Sequence, residues 1–522
     1  MNHDHGIASQ YKAMCKDREH SLDRAQACAA VTIPSVFPPD VFNKTQDLPV
    51  PWQGLGARGV NNLASMLLLA ILPPSAPFFR FKLNAEAEQL IGDDQAVKAE
   101  IDTALSMREQ MVQTEIEHQV VRKAFHSALR HLLIGGNVVL RHEPKQGFKV
   151  YPLHSFVISR VSGGGIGLLI LHERVGVEDL RDKLDPEEFE VISRGGHWEG
   201  SNTATSEVDM YTRVKRVDDG YQLEVEICGT VVESQSELYD LDKLPFLAPR
   251  MVVIDNEHYG RSYVEEYLGE LRSLEGLRQS IVSGSAAAAK LMFLVDPAGL
   301  TDPKVLHDAP NLAVRAGRAE DVSTLQANKF ADFSVARAST QDIIEGLSHA
   351  FMLAEAGIRN AERVTAEEVR LVQQALERQL GGVYTLISSE IQQPLIDMML
   401  RDLGKSDLPK SVLKYVSRVI VTGVEALGRM ADSARLDEFI RSGLETFGPQ
   451  FAAHLNMSEF ARRKAAALGI EHKGLVKSEE EIAQEQQAAQ QAAMAEQANM
   501  KAADVVGNVA EAQMTEPQGA EQ

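Results

Sequence analysis

Arg359 and Arg363 are the residues best suited by type and spacing to meet a polyanion. They stand four positions apart, with Asn360 between them, on a short polar connection from Gly357 to Val364. A guanidinium keeps its charge at physiological pH and donates in a planar fork, so a pair at an exposed tip can brush phosphate oxygens. From spacing alone, solvated surface charge is the better reading of the pair. Other sets fall short of their chemistry. Gly404-Lys405-Ser406 resembles the end of a phosphate-binding loop, but Met399 stands where that loop requires glycine. Ser162 to Gly167 is glycine-rich, yet it lies between strand-like segments and opens no helix, so it reads as a hairpin turn. His142-Glu143 and His172-Glu173 lack a spaced partner, and no nucleophile elbow is present. Cys15, Cys28 and Cys228 are too few for a disulfide framework or a four-cysteine zinc site. The expectation is no catalytic residue, no cofactor and no metal, hence no enzyme.

The arginine pair needs elements to hold it, and Ile343 to Leu400 supplies them. Ile343, Ile344, Leu347, Phe351 and Leu353 mark one helix. Val369, Val372, Leu376, Leu380, Val383, Ile387, Ile391 and Leu395 keep one face of a longer helix apolar. Thr365 and Glu368 are spaced as a capping box at its start. Unbroken, that helix would reach roughly 45 Å at about 1.5 Å per residue, with Gly381, Gly382 and Pro394 as expected kinks.

Upstream, the order is mixed. A polar helix is allowed over residues 8 to 30, a buried one runs from Arg58 to Leu72, and an amphipathic one covers about 97 to 133. From Gly135 the period changes to two, and Asp218-Asp219-Gly220 punctuates a hairpin before the alternating Leu223 to Ile227. A helix after Tyr259 runs to about Ala289, and residues 291 to 330 break into short segments before the helix at 343. The predicted class is α+β, mainly helical, with a small insertion at the end of a two-helix stalk.

The 522 residues carry 53 basic and 74 acidic side chains, a formal charge of -21. That balance suits a conduit past which a polyanion slides and opposes a tight nucleic-acid clamp. The N-terminus lacks the features of a signal peptide, and the longest apolar run, Met66 to Leu72, is too short to span a bilayer. Synthesis in a reducing cytosol is expected. The segment from Ser478 is rich in Gln, Ala and Glu, a composition expected to be disordered in its last part.

Five collinear stretches resemble the head-to-tail connector, or portal, proteins of short-tailed, podovirus-type bacteriophages. They are Thr32 to Ser35, Pro51 to Ala64, Tyr259 to Tyr263 with Glu265 and Glu266, Glu362 to Glu368, and Thr422 to Arg429. The resemblance implies a closed, usually dodecameric ring at one capsid vertex, with double-stranded DNA passing weakly and without sequence preference through its channel. Residues 1–255 would be an α/β wing, 256–289 and 333–357 two stem helices, and 290–332 a clip. Residues 358–364 would be the channel loop, with Arg359, Asn360 and Arg363 facing DNA. A long wing helix and return segment (365–430), a helical crown (431–480) and a low-complexity tail (481–522) would follow. Implied partners are further copies of the chain, terminase, scaffold and capsid proteins, a tail adaptor and internal core proteins, in a virion made in the host cytoplasm. The alternatives are another ring-forming virion component, such as a head-tail adaptor, and a soluble enzyme without a known motif.

Overall fold

The computed structural model describes residues 6–39, 47–74, 78–79, 81–83, 95–144, 146–196, 207–288, 292–310, 313–314, 317–325, 330–353, 366–403, 416–417, 428–455 and 460–461. By contact they fall into two units, 1–424 and 425–522.

In the first unit, α1 (Ile7–Ala30) precedes α2 (Leu55–Ile71), whose Val60, Leu63, Ala64 and Leu67 are fully buried. A two-residue strand, β1 (Lys82–Leu83), leads to α3 (Gln95–His118) and α4 (Val121–Gly135). Periodicity predicts one helix over this last stretch, and the structure breaks it at Val120, which takes a φ of +52°. The break is held from a distance. Gln119 Nε2 donates to Glu115 Oε1 and, at 2.8 Å, to Asp402 Oδ2.

Strands β2 (Val138–Glu143) and β3 (Gly147–Pro152) form a hairpin. β4 (Phe156–Arg160) and β5 (Ile166–Gly176) then flank the glycine-rich turn expected at Ser162 to Gly167. Helices α5 (Val177–Lys183) and α6 (Pro186–Gly196) precede β6 (Glu207–Val217), β7 (Gly220–Ile227) and β8 (Thr230–Asp240). β9 (Phe246–Leu247) joins β2, so the sheets read β3-β2-β9 and β4-β5-β6-β7-β8, all antiparallel.

Alternation along β4 and β5 sends side chains to two faces. Phe156, Ile158, Leu169 and Leu171 enter the main core, whereas Val157 and Ile170 pack with Ile7, Tyr11 and Tyr211 beneath α1. α1 is fastened at both ends of that face. The Glu226 carboxylate of β7 accepts from the Ile7 and Ala8 amides, and Arg18 Nη1 donates to the carbonyls of His154 and Phe156 at 2.8 and 3.0 Å. At the outer edge of β4, the Ile158 amide donates to the Tyr259 hydroxyl and the Arg160 amide to His258 Nδ1.

After β9 come α7 (Tyr263–Glu266), α8 (Leu268–Ala288), β10 (Met292–Val295), α9 (Pro303–His307), β11 (Val322–Leu325) and α10 (Phe330–Ala350). The long apolar helix is two, α11 (Ala366–Leu380) and α12 (Gly382–Asp402). They separate at Gly381, whose φ of +51° and ψ of −128° suit glycine. Pro394 lies inside α12 without ending it. Gln392 Nε2 fixes α12 to α2 by donating to the Ile71 carbonyl at 2.7 Å. β12 (Val416–Ser417) pairs with β1.

The second unit contains α13 (Gly428–Phe447) and a 3-10 turn, Pro449–His454. Phe451 packs on Phe439 and Phe447 with ring centroids 5.6 and 5.9 Å away.

Candidate functional site

Burial falls along the helical pair α8 and α10 and what lies between them. Toward the start of α8 and the end of α10, Leu271, Leu274 and Leu347 are buried, as is Thr340 of α10. Toward the far end burial is lost, and Val282, Val335, Leu300 and Val314 stand 51, 67, 77 and 96% exposed. Between the helices, β10 and β11 form a two-stranded ladder from Met292↔Leu325 to Val295↔Val322. Asp321 ties the turn that follows β10 by accepting from the Leu300 and Thr301 amides and the Thr301 hydroxyl. Asp302 caps α9, which buries no side chain. Local hydrogen bonds shape this end, and among the described residues between β10 and β11 no apolar side chain is buried.

Small side chains crowd the same end. Ser280, Ser283, Gly284, Ser285, Ala286 and Ala287 on α8 and Ser334, Ala336, Ala338 and Ser339 on α10 leave the backbones open to close approach by another helix. The two helices pack on each other, and most of these positions remain exposed.

The root of the pair is built quite differently. Tyr263, Tyr267 and Phe351 form an aromatic cluster, with Phe351 edge-on to Tyr263. Gly59 of α2 lies under that ring, where an added Cβ would fall 2.6 Å from Phe351 Cγ. Burial pushes the Tyr263 phenol above its ordinary pKa, so it stays a donor and meets the Ala350 carbonyl at 2.8 Å. Asn62 Nδ2 donates to the carbonyls of Phe351 and Met352, both at 3.1 Å, where Met352 takes a φ of +54°. These contacts hold Phe351 and Met352 at the end of α10.

Three further ties hold the chain around the start of α8. Asn137 is buried and bonds Gly260 twice, Oδ1 accepting from its amide at 2.7 Å and Nδ2 donating to its carbonyl at 2.8 Å. Arg261 pairs with Glu257 and Glu265, which push its guanidinium pKa further up, while Ser262 caps the Glu265 amide. Glu275 of α8 accepts from the Trp52 amide at 2.7 Å and the Gln53 amide at 3.3 Å. The Tyr259 to Tyr263 and Pro51 to Ala64 stretches thus meet at one joint.

Arg359, Asn360, Arg363 and Thr365 lie outside the described residues, and Glu368 is described only as backbone in the first turn of α11. Sequence reasoning missed Asn62, Asn137 and Glu275, although Asn62 stood inside a quoted stretch. Among the described residues no group of histidine, cysteine, aspartate and glutamate is arranged to hold a metal ion. None of the described helices is long and apolar enough to cross a membrane.

Comparison with known proteins places these features in a family. The profile described as "Bacteriophage head to tail connecting protein" matches residues 4–476. The portal protein of Escherichia phage T7 is 37% identical over 488 residues, which cover 92% of this chain and 89% of that protein. That of Enterobacteria phage T3 is 36% identical over 483 residues, covering 91% and 89%. That of Enterobacteria phage SP6 is 27% identical over 512 residues, covering 98% and 97%. Among solved structures, a chain from the neck of an empty gene transfer agent particle aligns at 14% identity with a TM-score of 0.34, covering 80% of this chain and 90% of that one.

Proposed function

The chain belongs to the family of bacteriophage head-to-tail connecting proteins, and on that premise we propose how its parts work. It is a structural portal component of a virion, not an enzyme, serving DNA packaging and tail attachment.

The observation that carries the ring is the contrast along α8 and α10. A monomer leaves Val282, Val335, Leu300 and Val314 in water, and apolar surface is stabilised by burial at about 25 cal/mol per Å². Copies of the chain side by side cover these positions, and the small residues of both helices let the neighbours close in. A heterologous contact of this kind closes into a ring when its rotation closes. Twelve copies is the count the resemblance favours.

In this reading residues 1–255 are the wing, α8 and α10 the stem, 290–332 the clip and 358–364 the channel loop. Residues 365–430 return through the wing, 431–480 form the crown and 481–522 the tail. Arg359, Asn360 and Arg363 then become circlets, so one arginine per subunit is multiplied around the channel and holds DNA by screened, sequence-independent attraction. The clip, shaped by turns rather than by a core, suits a surface that meets terminase during packaging and a tail adaptor afterward. Scaffold, capsid and internal core proteins complete the partners, and the host cytoplasm is the place of synthesis.

Electron microscopy and light scattering of the purified full chain test the reading. Rings with a central channel, at a mass many times 57.3 kDa, are expected. A homogeneous monomer across concentration and salt overturns it. Arg359→Ala with Arg363→Ala should leave rings intact and reduce DNA retention in filled heads.

A further inference from the structure

The angle between α3 and α4 is set at a residue that resists it. Val120 is β-branched and takes the left-handed conformation, with φ +52° and ψ +35°, which for such a residue is disfavoured by about tenfold. Its side chain is 62% exposed, so no packing of its own holds it there. The backbone has also left regular helix bonding. The Val120 amide meets the Glu117 carbonyl at 3.2 Å and the Lys123 amide the Val120 carbonyl at 3.1 Å, each only three residues back. No glycine or proline stands between Gln95 and Ile134, and the apolar spacing on both sides suits one continuous helix.

The polar tie at this break reaches outside the two helices. Gln119 is buried, and its Nε2 donates at 2.8 Å to Asp402 Oδ2 at the end of α12, while its Oε1 is shut off from solvent without a partner. The same Oδ2 stands 3.1 Å from His142 Nε2 of β2, and the His142 and Asp402 side chains are 5 and 9% exposed. The β2–β3 turn meets the Gln119 carbonyl through Gly147, where an added Cβ would fall 2.7 Å from that oxygen. Burial, ahead of the opposing pull of Asp402, pushes the His142 imidazole down. The ring is therefore neutral at neutral pH and brings no full cation to the carboxylate. The Gln119 bond is then charge-assisted, and loss of such a bond shifts an equilibrium by about tenfold or more. That matches the penalty at Val120: with the bond the break is favoured, and without it the strain is left uncompensated.

We propose that Asp402 is a latch: bonded to Gln119 it keeps α3 and α4 broken at Val120, and released from it the two join into one helix. α3 lies against α12, so joining swings α3 off that helix. The Val121 and Arg122 amides, in the first turn of α4, then gain carbonyl partners from the turn before. Strain of this kind persists only while its surroundings enforce it, which is what makes a second state reachable. The wider role rests on the ring reading, in which α12 belongs to the return from the channel loop. There the latch passes movement of the α12 end to α3, so the wing responds to the channel side within one subunit.

Pulsed electron spin resonance on the full chain tests it. Spin labels go on Met111→Cys of α3 and Gln393→Cys of α12, both exposed, in a Cys15→Ser, Cys228→Ser background diluted with unlabelled chain. With the latch intact one distance is expected. Asp402→Ala should raise the share of a second, longer distance about tenfold relative to the first. Adding Val120→Gly should restore the first distance, because glycine takes the left-handed conformation without penalty; a joint merely loosened by Asp402→Ala would be loosened further by glycine. Glu115→Ala removes the other Gln119 partner, which lies within α3 itself, and should leave the distance unchanged. Where circular dichroism shows Asp402→Ala unfolded, Gln119→Leu takes its place with the same expected outcome. A single unchanged distance in the folded variant, or a spread that Val120→Gly does not narrow, overturns the latch. Light scattering on the same samples separates the two readings. A chain that stays monomeric yet shows both distances overturns the ring and leaves the latch standing, whereas rings with one distance in every variant overturn the latch alone.

Discussion

The root of the α8–α10 pair and its far end are made from the same two helices, yet their chemistry is opposite. At the root buried polar groups find partners within the chain: Asn137 on Gly260, Asn62 on the Phe351 and Met352 carbonyls, Tyr263 on Ala350. At the far end small residues and exposed aliphatics face solvent. The root is tied within the chain, and the far end leaves its aliphatic side chains exposed.

Mutations can break that contrast from either side, and the largest effect belongs to the root. Gly59→Val should destabilise the first unit by about 3 kcal/mol, because a branched side chain cannot share space with the Phe351 ring; a lowered midpoint in urea denaturation checks this. Asn137→Ala removes both bonds to buried Gly260 groups and should cost about 2 kcal/mol in the same assay. An unchanged midpoint in either variant would mean that the root is looser than its geometry.

Acid provides a comparison without mutation. His131 titrates near its ordinary value when unfolded, about 6.5, and at about 4 when folded, because burial opposes its charge. The unfolded chain then binds more protons in between, so stability is fully present above about pH 6.5 and falls as pH drops toward 4. Urea midpoints measured from pH 7 to 4.5 should show that decline, flattened in His131→Phe. The smallest effect is expected at the far end. Val335→Asp should change amide protection around the root by less than about 0.5 kcal/mol in hydrogen exchange, while the mass seen by light scattering falls as rings fail to close.

The sequence made the local parts of this fold legible. The Asp218-Asp219-Gly220 turn, the alternation from Leu223 to Ile227 and the glycine-rich turn after β4 announce themselves through neighbours in the chain, and each stands as expected. The break at Val120 does not, because no glycine or proline marks it. A β-branched residue with positive φ is held there by Gln119 reaching Asp402, a partner far away in sequence. The joint was half legible: the stretches that meet in it were visible, but not that Glu275 and Asn137 tie them. The channel candidates Arg359, Asn360 and Arg363 rest on resemblance and lie outside the described residues, so DNA retention is their test.

The covered edge of β4 has a consequence for how many copies can be made together. An open strand edge offers a row of amides to any other strand, and in a crowded cell it is a seed for aggregation. Here the Tyr259 hydroxyl and the His258 ring occupy the Ile158 and Arg160 amides, so newly made subunits cannot zip together along β4. Tyr259→Phe together with His258→Ala would leave those amides open, turning a chain that must gather with its own kind into one that does so in the wrong way.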